Sequence, residues 1–410
     1  MKKILIIGYV WVEPNSSAAG SRMLQLIKFF LKQDYKITFA STAQKGEKAL
    51  DLKTLGVEEV KVELNDSSFD EFVKELNPTI VVFDRFMIEE QFGWRVADVC
   101  PNAIRILDTE DLHSLRKVRQ EAIKKNIEFS NKELLKTDIA KREIAAIYRC
   151  DLSLVISTFE IELLQNVFNI DPCLLYHLPF LLKEIDTETQ EKWKPFVERT
   201  HFVTIGNFLH APNVDAVLQL KKHIWTKIRK QLPNAEMHVY GAYPTQQILQ
   251  LHNKKEGFII KGFVENANEV ISSAKVVLAP LRFGAGIKGK LTEAMLNGTP
   301  SVTSLIGAEG MHANLPWNGF VTNNYNEFVE KAIELYSTKK SWQHSQQNGV
   351  EIINQLYNKE RLSLFFLSKI GELKLNLNQH RNQNFIGSLL QHQTLRSTKY
   401  MSKWIEEKNK

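Results

Sequence analysis

Residues 276–300 read VVLAPLRFGAGIKGKLTEAMLNGTP and give the clearest indication of the fold class. The stretch begins as an apolar strand, continues through a glycine-rich loop and then takes the composition of a helix. Asn297 and Gly298 provide a left-handed cap at the end of that helix, and Pro300 prevents it from continuing. A strand, a glycine-rich loop and a helix in this order are typical of one unit of a parallel α/β sheet.

The loop of this unit has the chemistry of an anion site. Gly284, Gly286 and Gly289 let the backbone approach a ligand without a clash from a Cβ atom. The unpaired N–H groups at the start of the following helix, together with the positive end of its dipole, attract negative charge. Lys288 and Lys290 add two positive charges there. The combination suits a diphosphate.

Two common nucleotide motifs do not explain the loop. It lacks the G-x-x-x-x-G-K-[ST] pattern of a P-loop, and its G-x-G-x-x-G match lies in the fourth strand–helix unit of its half. Glu293 lies about one helical turn beyond the loop, three residues after Lys290, and can face the same end of the helix. A carboxylate there is an acceptor for two vicinal ribose hydroxyls. The alternative is a solvated first-turn charge that the helix dipole favours.

Similar strand–helix units fall into two sets along the chain, separated by a polar segment without aliphatic periodicity. We therefore predict two open α/β domains at residues 1–185 and 201–355, a linker at 186–200 and a helical extension at 356–410. The extension is expected to pack back on the first domain. The predicted strands are residues 3–8, 36–41, 79–83, 104–107 and 152–157 in the first set, and 202–205, 236–240, 257–260, 275–279 and 301–304 in the second.

The two sheets predict where a ligand binds. Open parallel sheets bind ligands outside the carboxyl ends of their strands, so two facing sheets form one cleft between the domains. His113 follows the strand at residues 104–107 after a short acidic turn that contains Asp108 and Asp111. This places the histidine at a strand's carboxyl end, although a lone histidine is more often structural. The expected protein is a cleft enzyme with a nucleotide-like ligand.

The composition excludes other classes of protein. Lys and Arg number 53 against 47 Asp and Glu, and a net charge of +6 over 410 residues is too small to indicate a nucleic-acid partner. No apolar run approaches the ~20 residues of a membrane-spanning helix. Cys100, Cys150 and Cys173 form no CxxC pair, so we expect neither a disulfide framework nor a zinc site. The expected compartment is the reducing cytoplasm, and no DxD-type metal site is evident.

Four further motifs accompany the glycine-rich stretch. They are FVTIGNFLHAPNVDA at residues 202–216, VYGA at 239–242, KGFV at 261–264 and GAEGM at 307–311. In this order they resemble the nucleotide-sugar domain of retaining glycosyltransferases of family 4, which have the GT-B fold of two Rossmann-like domains facing an interdomain cleft. The resemblance is weaker at residues 107–116 and 151–160 and fades after about residue 355.

The resemblance implies a hexosyltransferase-type glycosyltransferase of glycan biosynthesis. Such an enzyme moves a sugar from a nucleotide diphosphate sugar, its donor substrate and not a cofactor, to a saccharide or lipid-linked acceptor on the side of the first domain. Retention of configuration and independence of metal are expected. The lysine-rich residues 116–142 are read as a solvated helix face, with peripheral contact to the inner face of a membrane as the alternative.

The resemblance also implies roles for individual residues. Glu293 would bind the ribose, Lys288 would act on the diphosphate and donor sugar, and His113 with Asp111 would face the transferred sugar or the acceptor. The other donor-site residues implied by position are Gly20, Arg22, Gly206, Asn207, His210, Gly262, Phe263, Val264, Gly284, Ala285, Gly286 and Ile287.

The sequence departs from the family pattern at two places. Ala285 stands where many members have a first glutamate, eight residues before the one that binds ribose. Asn207, His210 and Asn213 replace an arginine and a lysine that neutralise the diphosphate, so Lys288 or Arg22 must do more of that work. Two alternatives remain for the function. They are a nucleotide-sugar epimerase on the same fold and a catalytically silent nucleotide-sugar-binding protein.

Overall fold

The structure is a computed structural model that describes residues 2–392 and, in the tail, Met401, Trp404, Ile405, Glu407 and Lys408. The remainder of the predicted helical extension beyond residue 392 lies outside the described residues. Two parallel β-sheets form the centres of two Rossmann-like domains, as predicted.

The first sheet has seven parallel strands in the order β3-β2-β1-β4-β5-β6-β7. Its members are β1 (Lys3–Gly8), β2 (Lys36–Ser41), β3 (Glu58–Lys61), β4 (Ile80–Asp84), β5 (Ile104–Asp108), β6 (Leu152–Val155) and β7 (Leu175–His177). Five of these strands match the predicted ones. The sequence gives no prediction for β3 and β7, which are the two edge strands and have four and three residues.

Helices cover both faces of this sheet. They are α1 (Ala18–Lys32), α2 (Ser68–Leu76), α3 (Phe86–Val99), α4 (His113–Lys125), α5 (Asn131–Lys136), α6 (Asp138–Arg149) and α7 (Thr158–Asn166). Strand β1 shows why both faces are apolar: Leu5 and Ile7 enter one hydrophobic layer, whereas Ile4 and Ile6 enter the other. Successive side chains of a strand point to opposite faces, so a strand that is buried on both sides reads as a continuous apolar run.

The second sheet has six parallel strands in the order β10-β9-β8-β11-β12-β13. They are β8 (Thr200–Ile205), β9 (Met237–Tyr240), β10 (Phe258–Gly262), β11 (Ala274–Ala279), β12 (Ser301–Thr303) and β13 (Gly319–Val321). A short helix α8 (Thr187–Glu191) precedes the sheet. The helices that follow are α9 (Ala211–Gln219), α10 (Thr226–Gln231), α11 (Gln246–Leu249), α12 (Ala267–Ser273), α13 (Gly289–Leu296), α14 (Leu305–Ala308), α15 (Tyr325–Ser337) and α16 (Lys339–Leu356).

The last helices return to the first domain. They are α17 (Lys359–Gln383) and α18 (Phe385–His392). Phe366 of α17 is buried, and its ring centroid lies 4.9 Å from that of Phe29 in α1. Further along α17, the guanidinium of Arg381 pairs with the buried carboxylate of Asp151 at 2.7 Å. Within the described residues, no helix combines the length and the apolar character needed to cross a membrane.

Candidate active site

A cleft of about 990 Å³ lies between the carboxyl ends of the two sheets. Its walls are the loops that follow β1, β4 and β5 in the first domain and β8, β9, β10 and β11 in the second. This is the place where open α/β sheets bind ligands. The predicted site residues that line it are Asp111, His113, Gly206, Asn207, His210, Phe263, Val264, Gly284, Ala285, Gly286, Ile287, Lys288 and Glu293.

The glycine-rich loop touches the first domain at two glycines. Gly286 has a φ of 62°, and a Cβ atom there would lie 2.8 Å from the Cβ of Asp111. Helix α13 begins at Gly289, where a Cβ atom would lie 2.7 Å from the Cβ of Ala18 in α1. The sequence predicts these glycines as room for a ligand. The structure shows that both are also required because the first domain approaches the loop closely.

Lys288 is turned toward its own loop. It is 8% exposed, and its Nζ donates a hydrogen bond to the carbonyl oxygen of Gly286 at 2.7 Å. Burial lowers the pKa of Lys288 to about 8, although the Glu309 carboxylate opposes this shift. The ammonium therefore supports the loop as well as adding positive charge at the cleft wall.

Lys290 lies at the end of β8, where the sequence lacks the expected cations. Its Nζ donates to Oδ1 of Asn213 at 2.8 Å, and a Cβ atom on Gly206 would lie 3.0 Å from it. Burial lowers the pKa of Lys290 to about 8, and the Glu293 carboxylate opposes that shift. The sequence analysis expects Lys288 or Arg22 to supply the missing charge, and the structure adds Lys290 as a cation beside the loop that follows β8.

Glu293 faces the cleft from the second turn of α13. None of the described residues forms a hydrogen bond or an ion pair with its carboxylate. Burial raises the pKa of Glu293 to about 7, and the charge of Lys290 limits the rise. A carboxylate that is mostly buried and unpaired at a cleft wall is available to accept hydrogen bonds from a ligand.

The turn that connects β5 to α4 carries the residues predicted to face the transferred sugar or the acceptor. His113 is the first residue of α4, and its N–H donates to Oε1 of Glu143 at 2.8 Å. The Nε2 atom of His113 lies 3.4 Å from Oδ1 of Asp111, which also pairs with Arg116. Burial lowers the pKa of His113 to about 4 despite the nearby Asp111 carboxylate. The imidazole is therefore neutral at pH 7 and can donate or accept a hydrogen bond.

The Asp111 carboxylate is held in its ionised form. Burial is the largest single influence and opposes ionisation, but the Arg116 cation and its hydrogen bond, together with the imidazoles of His113 and His210, outweigh burial and lower the pKa of Asp111 below its usual range. A carboxylate with a lowered pKa is a weak base. His210 of the second domain also lines the cleft. Burial and the Arg116 cation lower the pKa of its imidazole.

The structure corrects three predicted donor contacts, because Gly20, Arg22 and Gly262 do not line the cleft. Arg22 is 1% exposed, and its guanidinium pairs with the buried Asp108 carboxylate at 2.8 Å and donates to the carbonyl oxygen of Leu178. A Cβ atom on Gly20 would clash with the backbone of the preceding loop. Gly20 and Arg22 therefore contact the loops of the first domain, and after β10 the cleft lining begins at Phe263 and Val264, directly after Gly262.

The sequence did not indicate several cleft residues. Arg85 and Glu110 line the cleft with φ angles of 73° and 60°, which are uncommon outside glycine and asparagine. Arg119 crosses between the domains, with Nη1 2.7 Å from Oε2 of Glu309 and 2.9 Å from the carbonyl oxygen of Gly284. A pattern in the sequence does not reveal such contacts, since the partners are far apart along the chain.

Within the part of the chain that the structure describes, no group of three or more His, Cys, Asp or Glu side chains could hold a metal ion. In the α4–α6 segment, Lys124, Lys136 and Lys141 pair with acidic side chains three positions away. Such pairs are typical of a solvated helix face.

The second domain matches a known protein family. Residues 199–338 match the family model described as Glycosyl transferases group 1. The chain therefore contains a glycosyltransferase group 1 domain, and the predicted class of enzyme, a glycosyltransferase, is confirmed. A search of curated protein sequences found no significant match.

Solved structures share the whole fold at low sequence identity. A variant of TarM from S. aureus, in complex with fondaparinux, α-GlcNAc-glycerol and UDP, has a TM-score of 0.68 and 12% identity over 91% of this chain and 100% of that chain. Sucrose-phosphate synthase from Thermosynechococcus elongatus has a TM-score of 0.65 and 14% identity over 92% and 100%. HepE from Anabaena, in complex with UDP and glucose, has a TM-score of 0.62 and 12% identity over 91% and 100%. These similarities establish the predicted GT-B architecture.

Proposed function

We propose that the protein transfers a sugar from a nucleotide diphosphate sugar to a saccharide or lipid-linked acceptor, with retention of configuration and without a metal ion. The ribose binds Glu293, and the diphosphate lies between the start of α13, Lys290 and Gly206. The sugar then points toward His113 and Asp111 of the first domain. Structural neighbours that were solved with UDP, with glucose or with saccharides support this type of donor and acceptor.

The observation that carries the proposal is the pair of charges on α13. The carboxylate of Glu293 is unpaired within the described residues and faces the cleft, and the ammonium of Lys290 lies at the end of β8. A buried carboxylate without a partner destabilises a folded protein, so its presence at a cleft wall favours a ligand as the missing partner. Vicinal ribose hydroxyls supply two donors for one carboxylate, and the helix start with Lys290 suits the adjoining diphosphate.

The chemistry follows from these positions. In the reaction, the bond between the anomeric carbon and the phosphate oxygen breaks while a bond to the acceptor oxygen forms. Lys290 and the N–H groups at the start of α13 stabilise the negative charge on the departing diphosphate. We propose that a phosphate oxygen of the donor takes the proton of the acceptor hydroxyl, because Asp111 is held as a weak base by Arg116. Attack on the face of the departing phosphate gives retention.

We propose a cytoplasmic location, with peripheral contact to a membrane only if the acceptor is linked to a lipid. The paired lysines of the α4–α6 segment support a solvated surface there. Vesicle sedimentation with and without anionic lipid tests this part of the proposal.

A thermal-shift panel of UDP, GDP, dTDP and ADP sugars tests the function. A ligand that binds only the folded state at 100 times its Kd stabilises the protein by about 2.7 kcal/mol. We expect one nucleotide class to raise Tm in the wild type and in Glu330→Ala, which removes an exposed helix carboxylate of the same domain. We expect no such rise in Glu293→Ala.

Product analysis by NMR then separates the alternatives. Transfer to an acceptor with the anomeric configuration of the donor supports the proposal, and inversion contradicts retention. Conversion of the donor sugar without transfer indicates an epimerase. Binding without turnover indicates a silent nucleotide-sugar-binding protein, and a panel without any stabilising nucleotide contradicts the donor site itself.

A further inference from the structure

Glu160 is a fully buried carboxyl group that the proposed reaction does not use. It is the third residue of α7, and Ser157 precedes that helix, so residues 157–160 match the S-x-x-E pattern of a capping box. In a capping box the glutamate returns to the N–H of the serine, and the serine oxygen caps the helix. Here Ser157 makes no capping hydrogen bond, and Glu160 points elsewhere.

One oxygen of Glu160 joins the two halves of the candidate site. Its Oε1 accepts a hydrogen bond from the N–H of Leu112 at 2.9 Å and a second from the N–H of Gly286 at 2.8 Å. Leu112 immediately precedes His113 on the acceptor side, whereas Gly286 is the central glycine of the donor loop. The N–H of Gly286 is therefore directed at the first domain and is not free for a phosphate.

Neighbouring contacts hold the same two segments together. Arg119 of α4 donates to the carbonyl oxygen of Gly284 and pairs with Glu309 through two hydrogen bonds of 2.7 and 2.8 Å. The hydroxyl of Ser157 lies so close to Gly310 that any side chain there would clash. The starts of α4 and α7 thus dock on the donor loop and on the segment around Glu309.

We propose that Glu160 is a positioning residue that aligns the donor loop with the turn carrying His113, so that the two substrates meet only in the docked arrangement of the domains. The catalytic part of this inference rests on the proposed function, whereas the docking part does not. Displacement of a bound group by about 1 Å can reduce a rate by ~10²-fold, so a residue that sets this alignment affects kcat more than donor affinity.

The protonation of Glu160 determines which substitution keeps its role. Burial raises the pKa of Glu160 to about 8, and the Asp111 carboxylate contributes to the rise. Its second oxygen has no hydrogen-bond partner among the described residues. A neutral carboxyl group whose carbonyl oxygen accepts two N–H bonds has the same shape and acceptor as a glutamine side chain. Glu160→Gln should therefore keep both hydrogen bonds, whereas Glu160→Leu removes them.

Hydrogen exchange by mass spectrometry tests the docking without any substrate. In Glu160→Leu we expect faster exchange, roughly tenfold, in peptides covering residues 281–288 of the second domain as well as residues 109–114 of the first. Glu160→Gln should match the wild type in both peptides. The matched control is Glu89→Gln, which removes a buried charge whose partner, Arg149, lies in the same domain. Glu89→Gln should leave the hydrogen exchange of residues 281–288 unchanged.

Kinetics test the catalytic part. For the nucleotide sugar identified by the thermal-shift panel, kcat should fall on the order of tenfold or more in Glu160→Leu, while Kd of the nucleotide diphosphate stays within about threefold. Glu160→Gln should restore kcat. If the leucine variant does not fold, Glu160→Asp provides the same comparison, because its shorter side chain cannot reach both N–H groups.

Two results overturn the inference. Faster exchange confined to residues 109–114 would show that Glu160 only stabilises the first domain. A loss of activity in Glu160→Gln as large as in Glu160→Leu would show that the charge, and not the two hydrogen bonds, is what matters. If no nucleotide sugar is turned over, the proposed function fails, but the exchange experiment still decides whether Glu160 docks the domains.

Discussion

Replacement of Glu293 should have opposite effects on ligand binding and on folding stability, because the ionised carboxylate does not stabilise the folded protein when no ligand is bound. Burial raises the pKa of Glu293 to about 7 from its usual 4.5. The folded state therefore binds more protons than the unfolded chain between these values, and stability falls as the pH rises through that interval. Below pH 4.5 the effect is absent, and above pH 7 it is complete.

The size of the effect follows from the shift. A pKa change of this size corresponds to at most about 3 kcal/mol at pH 8, and the openness of the carboxylate to the cleft reduces it. Glu293→Gln keeps the shape but cannot ionise, so it should be more stable than the wild type at pH 8 and equal to it at pH 4. For domains of this size, Tm rises by about 2–4 °C per kcal/mol.

Replacement of Glu293 should weaken donor binding, although it stabilises the folded protein at pH 8. A hydrogen bond to a charged group contributes about 1.5–3 kcal/mol, and Glu293→Ala removes the acceptor of two ribose hydroxyls. We expect Kd of the nucleotide diphosphate to rise by ~10²-fold in Glu293→Ala and by a smaller factor in Glu293→Gln. Wild-type affinity should increase as the pH rises through about 7, where the carboxylate ionises.

Calorimetric titration at pH 6 and pH 8, with thermal unfolding at pH 4 and pH 8, measures both effects. Glu330→Ala serves as the control for loss of a glutamate from an exposed helix surface. Glutamine and alanine variants that bind the nucleotide as tightly as the wild type would refute the assignment of the ribose contact. Equal stability of wild type and Glu293→Gln at pH 8 would refute the argument from burial.

Three further substitutions probe the rest of the site. Lys290→Met should reduce kcat/KM by roughly 10- to 100-fold through loss of the charge at the diphosphate, with Tm nearly unchanged; unchanged kinetics would contradict its role. Gly286→Ala should lower the free energy of unfolding in urea by about 1–3 kcal/mol, because a φ of 62° and the Cβ of Asp111 at 2.8 Å both oppose a side chain. An unchanged free energy of unfolding would show that the loop is not docked on the first domain. Arg22→Met should cost about 3–5 kcal/mol by leaving the Asp108 carboxylate buried and unpaired, whereas a stable variant with weakened donor binding would restore the original prediction of a phosphate contact.

The sequence was sufficient to predict those strands that have a clear apolar pattern within their own residues. Strand β4 is buried along its whole length and is apolar up to Phe83, so its position was clear. Strand β3 reads EEVK and is half exposed, and β7 and β13 have three residues each. All three are edge strands, where one side of the backbone has no neighbour and the apolar pattern is weak. Short edge strands are therefore the part of the fold that the pattern could not reveal, whereas the longer edge strand β10 was predicted.

The same distinction holds for the site. Glu293 lies on the helix that directly follows the glycine-rich loop, so the spacing allowed both to face the cleft, and the family resemblance favoured this over a solvated charge. The pairs Arg22 with Asp108 and Glu160 with Gly286 are separated by 86 and 126 residues. Their geometry depends on how the sheets and domains are packed. The S-x-x-E pattern at residues 157–160 is typical of a local capping hydrogen bond, whereas in the structure Glu160 makes the tertiary contact.

The two loop lysines show a limit of a different kind. Lys288 precedes α13 and Lys290 is its second residue, so their side chains leave the backbone in different directions. Lys288 donates to the loop carbonyl of Gly286, whereas Lys290 donates to Asn213 in the first turn of α9. The direction of each side chain therefore depends on the residue at which the helix begins, and helix boundaries are the least certain part of a reading from sequence.

The most direct test of the donor site is a crystal structure of the protein with the nucleotide diphosphate that stabilises it most. We expect both ribose hydroxyls within hydrogen-bond distance of the Glu293 carboxylate and the diphosphate between Lys290 and the start of α13. A nucleotide bound outside the cleft, or bound within it with the ribose turned away from Glu293, would show that the proposed donor site is wrong.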